Sequence, residues 1–357
     1  MEYPKFKVTV SCMTFNQAKY ITDAMNGFTM QQTSFPFVCT ILDDASTDGE
    51  QDVIRKYVED NFDFSEGSVS YHKETDYAHI TYAQHKTNKN CYFAVLFLKE
   101  NHYSQRKDKS PYLKEWRDGV EYMALCEGDD YWIVPDKLEQ QVEFLNSHNN
   151  YYACLTRFYK YKQSEEKMCG IGGNKRETIK EMLWKDVQFG TATILFNYQI
   201  YLDYINEIQP QNQNWLMGDK PLFFYFGYRG KVKTLNIISS VYRILESSAS
   251  HSNNIDLQLK RARNTIDIYH FFAKKYLNEN EKWFRKIEGG YLYRAYHIFK
   301  VNNESLPSKL ESDIKGYYGF FWKLYIVKLF LKYPRLHSFV YFFVNIKNMM
   351  ALKGQIS

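Results

Sequence analysis

Two apolar runs in this chain break off abruptly into acid. Phe37–Leu42 (FVCTIL) runs into Asp43-Asp44, and Tyr122–Cys126 (YMALC) runs into Glu127-Gly128-Asp129-Asp130. Short apolar runs bounded by turn residues read as buried strands, so both acid groups fall at strand ends. Strand and helix signatures alternate around them. Phe6–Ser11 reads as a first strand, followed by a helix over Gln17–Gln31 capped by Asn16, with Tyr20, Ile21, Ala24, Met25 and Phe28 on one face. A second helix carries Val53, Ile54, Tyr57 and Val58 on one face. Ser68–His72 reads as a weaker strand, Cys91–Lys99 as a helix with an apolar stripe, and the polar stretch 101–118 as an inserted surface loop. A helix over Asp136–Ser147, capped by Asp136, follows the second acid group. This alternation over roughly the first 150 residues predicts an α/β fold with a mostly parallel central sheet flanked by helices. In such sheets ligands bind outside the carboxyl ends of the strands.

The second half is less regular. Tyr152–Phe158, Ala192–Phe196 and Val232–Val241 read as strands, and Trp215–Pro221 opens a short helix. Ile255–Val301 reads as helical, with a break near Gly289-Gly290. Gly170-Ile171-Gly172-Gly173 lacks the full GxGxxG spacing and reads as a loop. The expected division is a main domain over 1–252 and a helical C-terminal extension over 253–357.

Composition removes several classes. The chain has 357 residues, 45% hydrophobic and 18% aromatic, which excludes a disordered protein. Six cysteines with no CxxC spacing read as buried, reduced thiols. There is no GxxxxGK[ST], HExxH or GxSxG, which argues against P-loop, zincin and hydrolase chemistry. The opening MEYPKFKVTVSC lacks an apolar export signal, and no run reaches the roughly 18 apolar residues of a spanning helix. The expectation is a cytoplasmic protein, at most at the inner face of the cell membrane. From Ile314 to Ser357 there is no acidic residue and there are seven Lys or Arg, more than the whole-chain net charge of +5. Apolar aromatics interleave with these positives. The segment 315–353 therefore reads either as a core-packing helix pair broken at Pro334 or as an amphipathic stretch on an anionic membrane surface. Its apolar content is too high for a nucleic-acid arm.

Each acidic group carries a chemical reading beside a structural one. Asp43-Asp44 before Ser-Thr-Asp-Gly makes a good turn; either carboxylate could also accept hydrogen bonds from a nucleotide base or ribose. Glu127–Asp130 could be a solvated turn. Crowded carboxylates repel unless a cation neutralises them, and a hard cation gripping a diphosphate takes one or two of them. Asp219 could cap its helix or act as a general base. Arg243 could clamp a diphosphate, and His251, in a Ser-rich loop, could touch phosphate or metal.

Taken in order, VTVSCMTFNQAKYI, FVCTILDDASTDG, EGDDYW with PDKLEQQVEFL, FGTATILFN, MGDKP and VYRILESSAS resemble glycosyltransferase family 2, in its bacterial cell-surface polysaccharide branch (capsule and lipopolysaccharide synthesis). The resemblance covers about residues 5–252 and is most specific in its first three motifs. It implies a GT-A fold, a nucleotide-diphosphate sugar donor with a UDP-sugar as first choice, Mn2+ or Mg2+, and inversion at the anomeric carbon. By position, Ser11, Thr14, Asn16, Asp43, Asp44, Asp129 and Arg243 would bind the nucleotide sugar. Asp129, Glu127 and His251 would serve the metal, and Asp219 would be the base. Glu127 stands where Asp is commoner, and the usual YR.H reads YRIL here. The acceptor would be a saccharide or a lipid-linked saccharide; oligomeric state stays open. Two rivals remain: a sugar-1-phosphate nucleotidyltransferase, although SCMTFNQAKY lacks the Gly- and Arg-rich loop it would want, and a non-catalytic nucleotide-sugar binder.

Overall fold

The computed structural model describes residues 4–173, 175–184, 189–245, 254–277, 281–319 and 321–333. The chain divides into two compact units, Met1–Ser248 and Ala249–Ser357.

The first unit is built on one eleven-stranded sheet. Its strands are β1 (Val8–Thr14), β2 (Phe37–Asp43), β3 (Tyr71–Glu74), β4 (Ala78–Gln84), β5 (Cys91–Leu98), β6 (Tyr122–Leu125), β7 (Tyr131–Trp132), β8 (Tyr151–Lys162), β9 (Lys167–Gly172), β10 (Leu195–Asn197) and β11 (Lys231–Ile244). They lie in the order β3-β4-β5-β2-β1-β6-β10-β8-β11-β7, with β9 beside β8. The central strands β5, β2, β1 and β6 are mutually parallel, and β8 runs parallel to β11. The other six pairings are antiparallel. The sheet is therefore mixed, where the sequence pattern predicts a mostly parallel one. The connections β3–β4 and β4–β5 hold only a few residues, too short for the crossover that a parallel pair needs.

Helices α1 (Ile21–Thr29), α2 (Glu50–Asn61) and α3 (Lys137–Ser147) cover one face of the central strands. Ile21, Ala24, Met25 and Phe28 of α1, Ile54 and Val58 of α2, and Leu138, Val142 and Leu145 of α3 pack on Val8, Val10, Cys39, Ile41 and Phe93. Gly27 lets α1 come in close: a Cβ there would stand 2.8 Å from the Trp132 backbone nitrogen. The opposite face is sealed by Leu113 and Trp116, both buried, from a 3-10 segment over Ser110–Trp116. That segment lies within 101–118, so the expected surface loop is in part a cover for the core. Cys91–Lys99, expected as a helix, contains β5. All eight of its strand residues are buried between the two apolar layers, and a strand covered on both faces needs a continuous apolar run rather than a period. Gly170–Gly172, expected in a loop, end β9.

Among the described residues this unit also holds α4 (Ile179–Trp184), α5 (Tyr198–Ile208), capped by the Asn197 side chain on Ile200 N, and α6 (Asp219–Arg229). Cys12, Cys39, Cys91, Cys126 and Cys154 are buried free thiols; Cys169 on β9 is exposed, contrary to expectation. The second unit contains α7 (Ile255–Phe272), α8 (Glu281–Val301), α9 (Ser308–Gly316) and α10 (Trp322–Lys332). A π-helical turn over Ala273–Leu277 continues α7, and Gly289-Gly290, where a break was expected, lie inside α8. The expected break at Pro334 lies outside the described residues. Among the described residues no helix is long and apolar enough to cross a membrane.

Candidate active site

Strands β2, β1 and β6 are neighbours and point the same way, so the loops after Asp43, Thr14 and Leu125 emerge side by side at the carboxyl edge. The first two loops clasp one another. Asn16 and Ala45 both sit in the left-handed region, at φ 54° and 61°, which Asn adopts readily and Ala holds only where the surroundings impose it. Asn16 N donates to Ser46 Oγ (2.8 Å), and Thr47 N donates to Asn16 Oδ1 (2.8 Å). Asn16 thus joins two loops instead of capping a helix; α1 begins later, at Ile21. The Thr14 hydroxyl contacts Gln17 Oε1 (2.8 Å) and the Glu50 carboxylate.

Glu50 is fully buried at the start of α2. Its Oε2 accepts from Gln17 N (2.8 Å) and Ser46 Oγ (2.9 Å). Burial pushes its carboxyl up, and the hydrogen bonds from Thr14, Gln17 and Ser46 pull it back. Sequence reasoning missed Glu50. An acid just after Asp48-Gly49 reads as ordinary first-turn helix chemistry, and only the fold turns its side chain inward.

Asp43 and Asp44 part company at the end of β2. Asp43 is buried; its Oδ1 accepts from Gln51 Nε2 (2.6 Å) and Ser46 N (3.1 Å), while Oδ2 has no partner among the described residues. Burial raises its pKa, against the pull of Ser46 and Gln51. Asp44 is taken up by the segment that follows β5. Its Oδ1 accepts from His102 N (2.8 Å), and its Oδ2 from Tyr103 N (3.0 Å) and Lys109 Nζ (2.9 Å). A cavity of about 440 Å³ opens here, lined by Thr14, Phe15, Gln17, Asp44, Tyr103 and Lys109. Ser11 lies farther down β1, where its Oγ accepts from Arg117 Nη2 (3.1 Å).

The acidic loop after β6 stands against these residues. Gly128 is forced by contact: a Cβ would come within 2.4 Å of Thr14 Oγ1 and 2.5 Å of Gln17 Oε1. Burial raises the Glu127 carboxyl; the Thr191 hydroxyl, donating at 2.6 Å, pulls it back, and the charges of Asp129 and Asp219 push it further up. Asp219, the first residue of α6, accepts from Lys220 N (2.8 Å) and is within electrostatic reach of Glu127. Asp129 is also raised by burial, with Arg243 and Gln17 acting the other way. The charges of Glu50, Glu127 and Asp129 all bear on the buried Cys12 thiol of β1, so the three acids share one neighbourhood.

Arg243 on β11 is buried and holds the acidic loop. Its Nη1 donates to the Asp129 carbonyl (2.7 Å), its Nη2 pairs with Asp23, and its backbone N donates to Asp130 Oδ1 (2.9 Å). The guanidinium lies 4.5 Å from the centre of the Tyr131 ring. Asp130, part of the acidic group but given no role of its own from sequence, is buried, and burial together with Asp129 and Glu127 drives its carboxyl well up. Its partner lies 113 positions away in the chain, so no local pattern announces it. His251 lies outside the described residues.

Among the described residues no group of three or more His, Cys, Asp or Glu is placed to hold a metal ion on its own. The donor set nevertheless fits a hard cation of the Mn2+ or Mg2+ kind, which asks for one or two carboxylates and completes its shell with phosphate oxygens and water. Glu127 and Asp129 are two carboxylates raised by burial, with Asp129 adding its charge to the push on Glu127. A cation between them would relieve that cost.

No family model matches the chain. Over 151 residues it is 31% identical to uncharacterized proteins of Mycobacterium bovis and Mycobacterium tuberculosis, a stretch that makes up 42% of this chain and 34% of each relative. The chain thus matches about a third of the length of these curated relatives. Among solved structures, S. aureus TarS aligns with a TM-score of 0.51 at 17% identity, over 87% of this chain and 47% of that one. A crystal structure of TarS 1-349 in complex with UDP aligns with a TM-score of 0.51 at 16% identity, over 87% of this chain and 78% of that one. These neighbours are glycosyltransferases of GT-A-like fold, and at this identity the likeness establishes the fold.

Proposed function

We propose that this chain transfers a sugar, with inversion, from a nucleotide-diphosphate sugar to a hydroxyl of a saccharide or lipid-linked saccharide. The reading includes membership of glycosyltransferase family 2 and work on cell-surface polysaccharide at the cytoplasmic side. One observation carries it: the acidic loop Glu127–Asp130 packs through Gly128 on Thr14 and Gln17, which line the cavity at the adjacent strand ends, and Asp219 bears electrostatically on Glu127. The fold shared with TarS, one of whose crystal structures holds UDP, supports it.

In this reading Asp219 takes the proton from the acceptor hydroxyl. The freed oxygen attacks the anomeric carbon from the face opposite the diphosphate. A new C–O bond forms as the bond to the diphosphate oxygen breaks, and the departing diphosphate keeps the electron pair. Glu127 and Asp129 would hold a divalent cation, which when bound supplies positive charge against the diphosphate. Arg243 fixes the backbone of the acidic loop, and the Thr191 hydroxyl fixes the Glu127 carboxylate. Of the β2 acids, Asp44 lines the cavity, held there by His102, Tyr103 and Lys109, and keeps acceptor capacity for the nucleoside, while the fully buried Asp43 supports the loop from beneath through Ser46 and Gln51.

The test is to follow product from a panel of nucleotide sugars, with Mn2+ or Mg2+, with and without saccharide acceptors. Nucleoside diphosphate released in step with glycosylated acceptor is the expected result. Pyrophosphate release would replace this reading with nucleotidyl transfer, and binding without turnover would leave a nucleotide-sugar binder.

A further inference from the structure

Helix α10 carries two apolar faces. Leu324 and Val327 are buried and, with Leu331, pack in one cluster with Leu292 and Tyr296 of α8 and Ile314 of α9. At about 3.6 residues per turn, Trp322, Tyr325 and Leu329 fall on the opposite side. There they are 60%, 48% and 53% exposed. Isolated exposed apolar residues are ordinary, but a contiguous row of them marks a surface that something covers. Lysines flank the row. Lys323 stands on one side, and Lys328 and Lys332 on the other. Lys323 Nζ lies 5.3 Å from the centre of the Tyr293 ring of α8 and 6.0 Å from that of Trp322, and Lys328 Nζ donates to the Tyr317 carbonyl at 2.6 Å. No Asp or Glu stands between Ile314 and Ser357, so this helix offers the lysines no carboxylate of its own.

Charge selects the occupant. A second copy docked face to face would set lysine against lysine, with no acid on the face to answer them. An anionic lipid surface answers every part: aromatic rings sit at headgroup depth, leucine enters the acyl boundary, and lysines extend along the helix to the phosphates. We propose that α10 lies on an anionic membrane surface with Trp322, Tyr325 and Leu329 facing the lipid and Lys323 and Lys332 among the headgroups. The row is short, so the attachment is reversible. This assignment stands apart from the sugar-transfer reading and is read out without any turnover.

The experiment is sedimentation of the full chain with vesicles of phosphatidylglycerol and phosphatidylcholine, against vesicles of phosphatidylcholine alone. Binding to the anionic vesicles only, weakened by salt, is expected. The triple variant Trp322→Ser, Tyr325→Ser, Leu329→Ser touches no fully buried position and gives up one hydrogen bond, from the Tyr325 hydroxyl to the Gly319 carbonyl (3.3 Å); it should lower vesicle partitioning about tenfold or more while unfolding stays cooperative. Lys323→Glu with Lys332→Glu should lower it about fivefold or more per lysine. Brominated acyl chains should quench tryptophan emission in the native chain, and Trp322→Phe should remove that quenching while binding persists. A full chain that ignores anionic vesicles would overturn the proposal. So would undiminished quenching in Trp322→Phe, or a self-association that the triple variant abolishes while vesicle binding is unchanged.

Discussion

Single side chains carry the chemistry, and their variants separate function from stability. Asp129→Asn should lower transfer by about a hundredfold or more while the thermal midpoint holds or rises, because the acidic loop is relieved of one charge. Asp219→Asn should lose a similar amount through loss of the base, with donor binding retained. Steady-state rates beside donor titrations check both; a variant that keeps native turnover removes its residue from the account. Lys137 at the start of α3 makes a different case. It is fully buried, its Nζ donates to Gln141 Oε1 (2.8 Å) and lies 4.1 Å from the centre of the Trp132 ring, and burial lowers its pKa from 10.5 to about 7. Between those values the unfolded chain holds a proton that the folded chain does not, so this group's contribution to stability rises with pH across that window. Below pH 7 its cost is fully present, on the order of a few kcal/mol. Lys137→Met should therefore gain most in thermal midpoint, relative to the native chain, at and below pH 7, and the gap should narrow toward pH 10. A gap independent of pH would mean that Lys137 keeps its ordinary pKa.

At the scale of elements, the site depends on how closely three loops approach. Gly128→Ala would drive a methyl group into Thr14 and Gln17 and push the acidic loop off the end of β1. A loss of about 1–3 kcal/mol in stability and a larger loss in donor affinity are expected, measured by denaturant unfolding and nucleotide titration. The segment after β5 is held to Asp44 by two backbone amides and by Lys109. Lys109→Ala should raise donor KM several-fold with kcat little changed and should speed protease cleavage between residues 99 and 109. Equal protection of that segment in both proteins would contradict its role as a wall of the cavity. These elements were unequally legible in the sequence. The ends of β2 and β6 were plain because an apolar run meets acid there. β5 was misread because an unbroken apolar run has no period to tell strand from helix. The cover formed by Leu113 and Trp116 was hidden because two apolar residues in a polar stretch look like surface.

At the scale of the whole molecule, every described site residue belongs to the unit Met1–Ser248. Residues 1–248 expressed alone should keep nucleotide binding, while the vesicle attachment assigned to α10 should be lost with the second unit. Loss of nucleotide binding in that fragment would mean that the site needs residues beyond it. The general α/β architecture and the edge of the sheet that carries the acids could be anticipated from sequence. The antiparallel additions to the sheet, the inward turn of Glu50 and the pairing of Arg243 with Asp23 and Asp130 could not, because each depends on residues brought together from distant parts of the chain. The most direct measurement is the thermal shift given by UDP and by GDP with Mn2+, in the native chain and in Asp129→Asn. A stabilisation that needs nucleotide and cation together, and that disappears in Asp129→Asn, is the predicted result. An equal stabilisation in both proteins, or none with any nucleotide, would contradict a cation-assisted nucleotide-sugar site at the acidic loop.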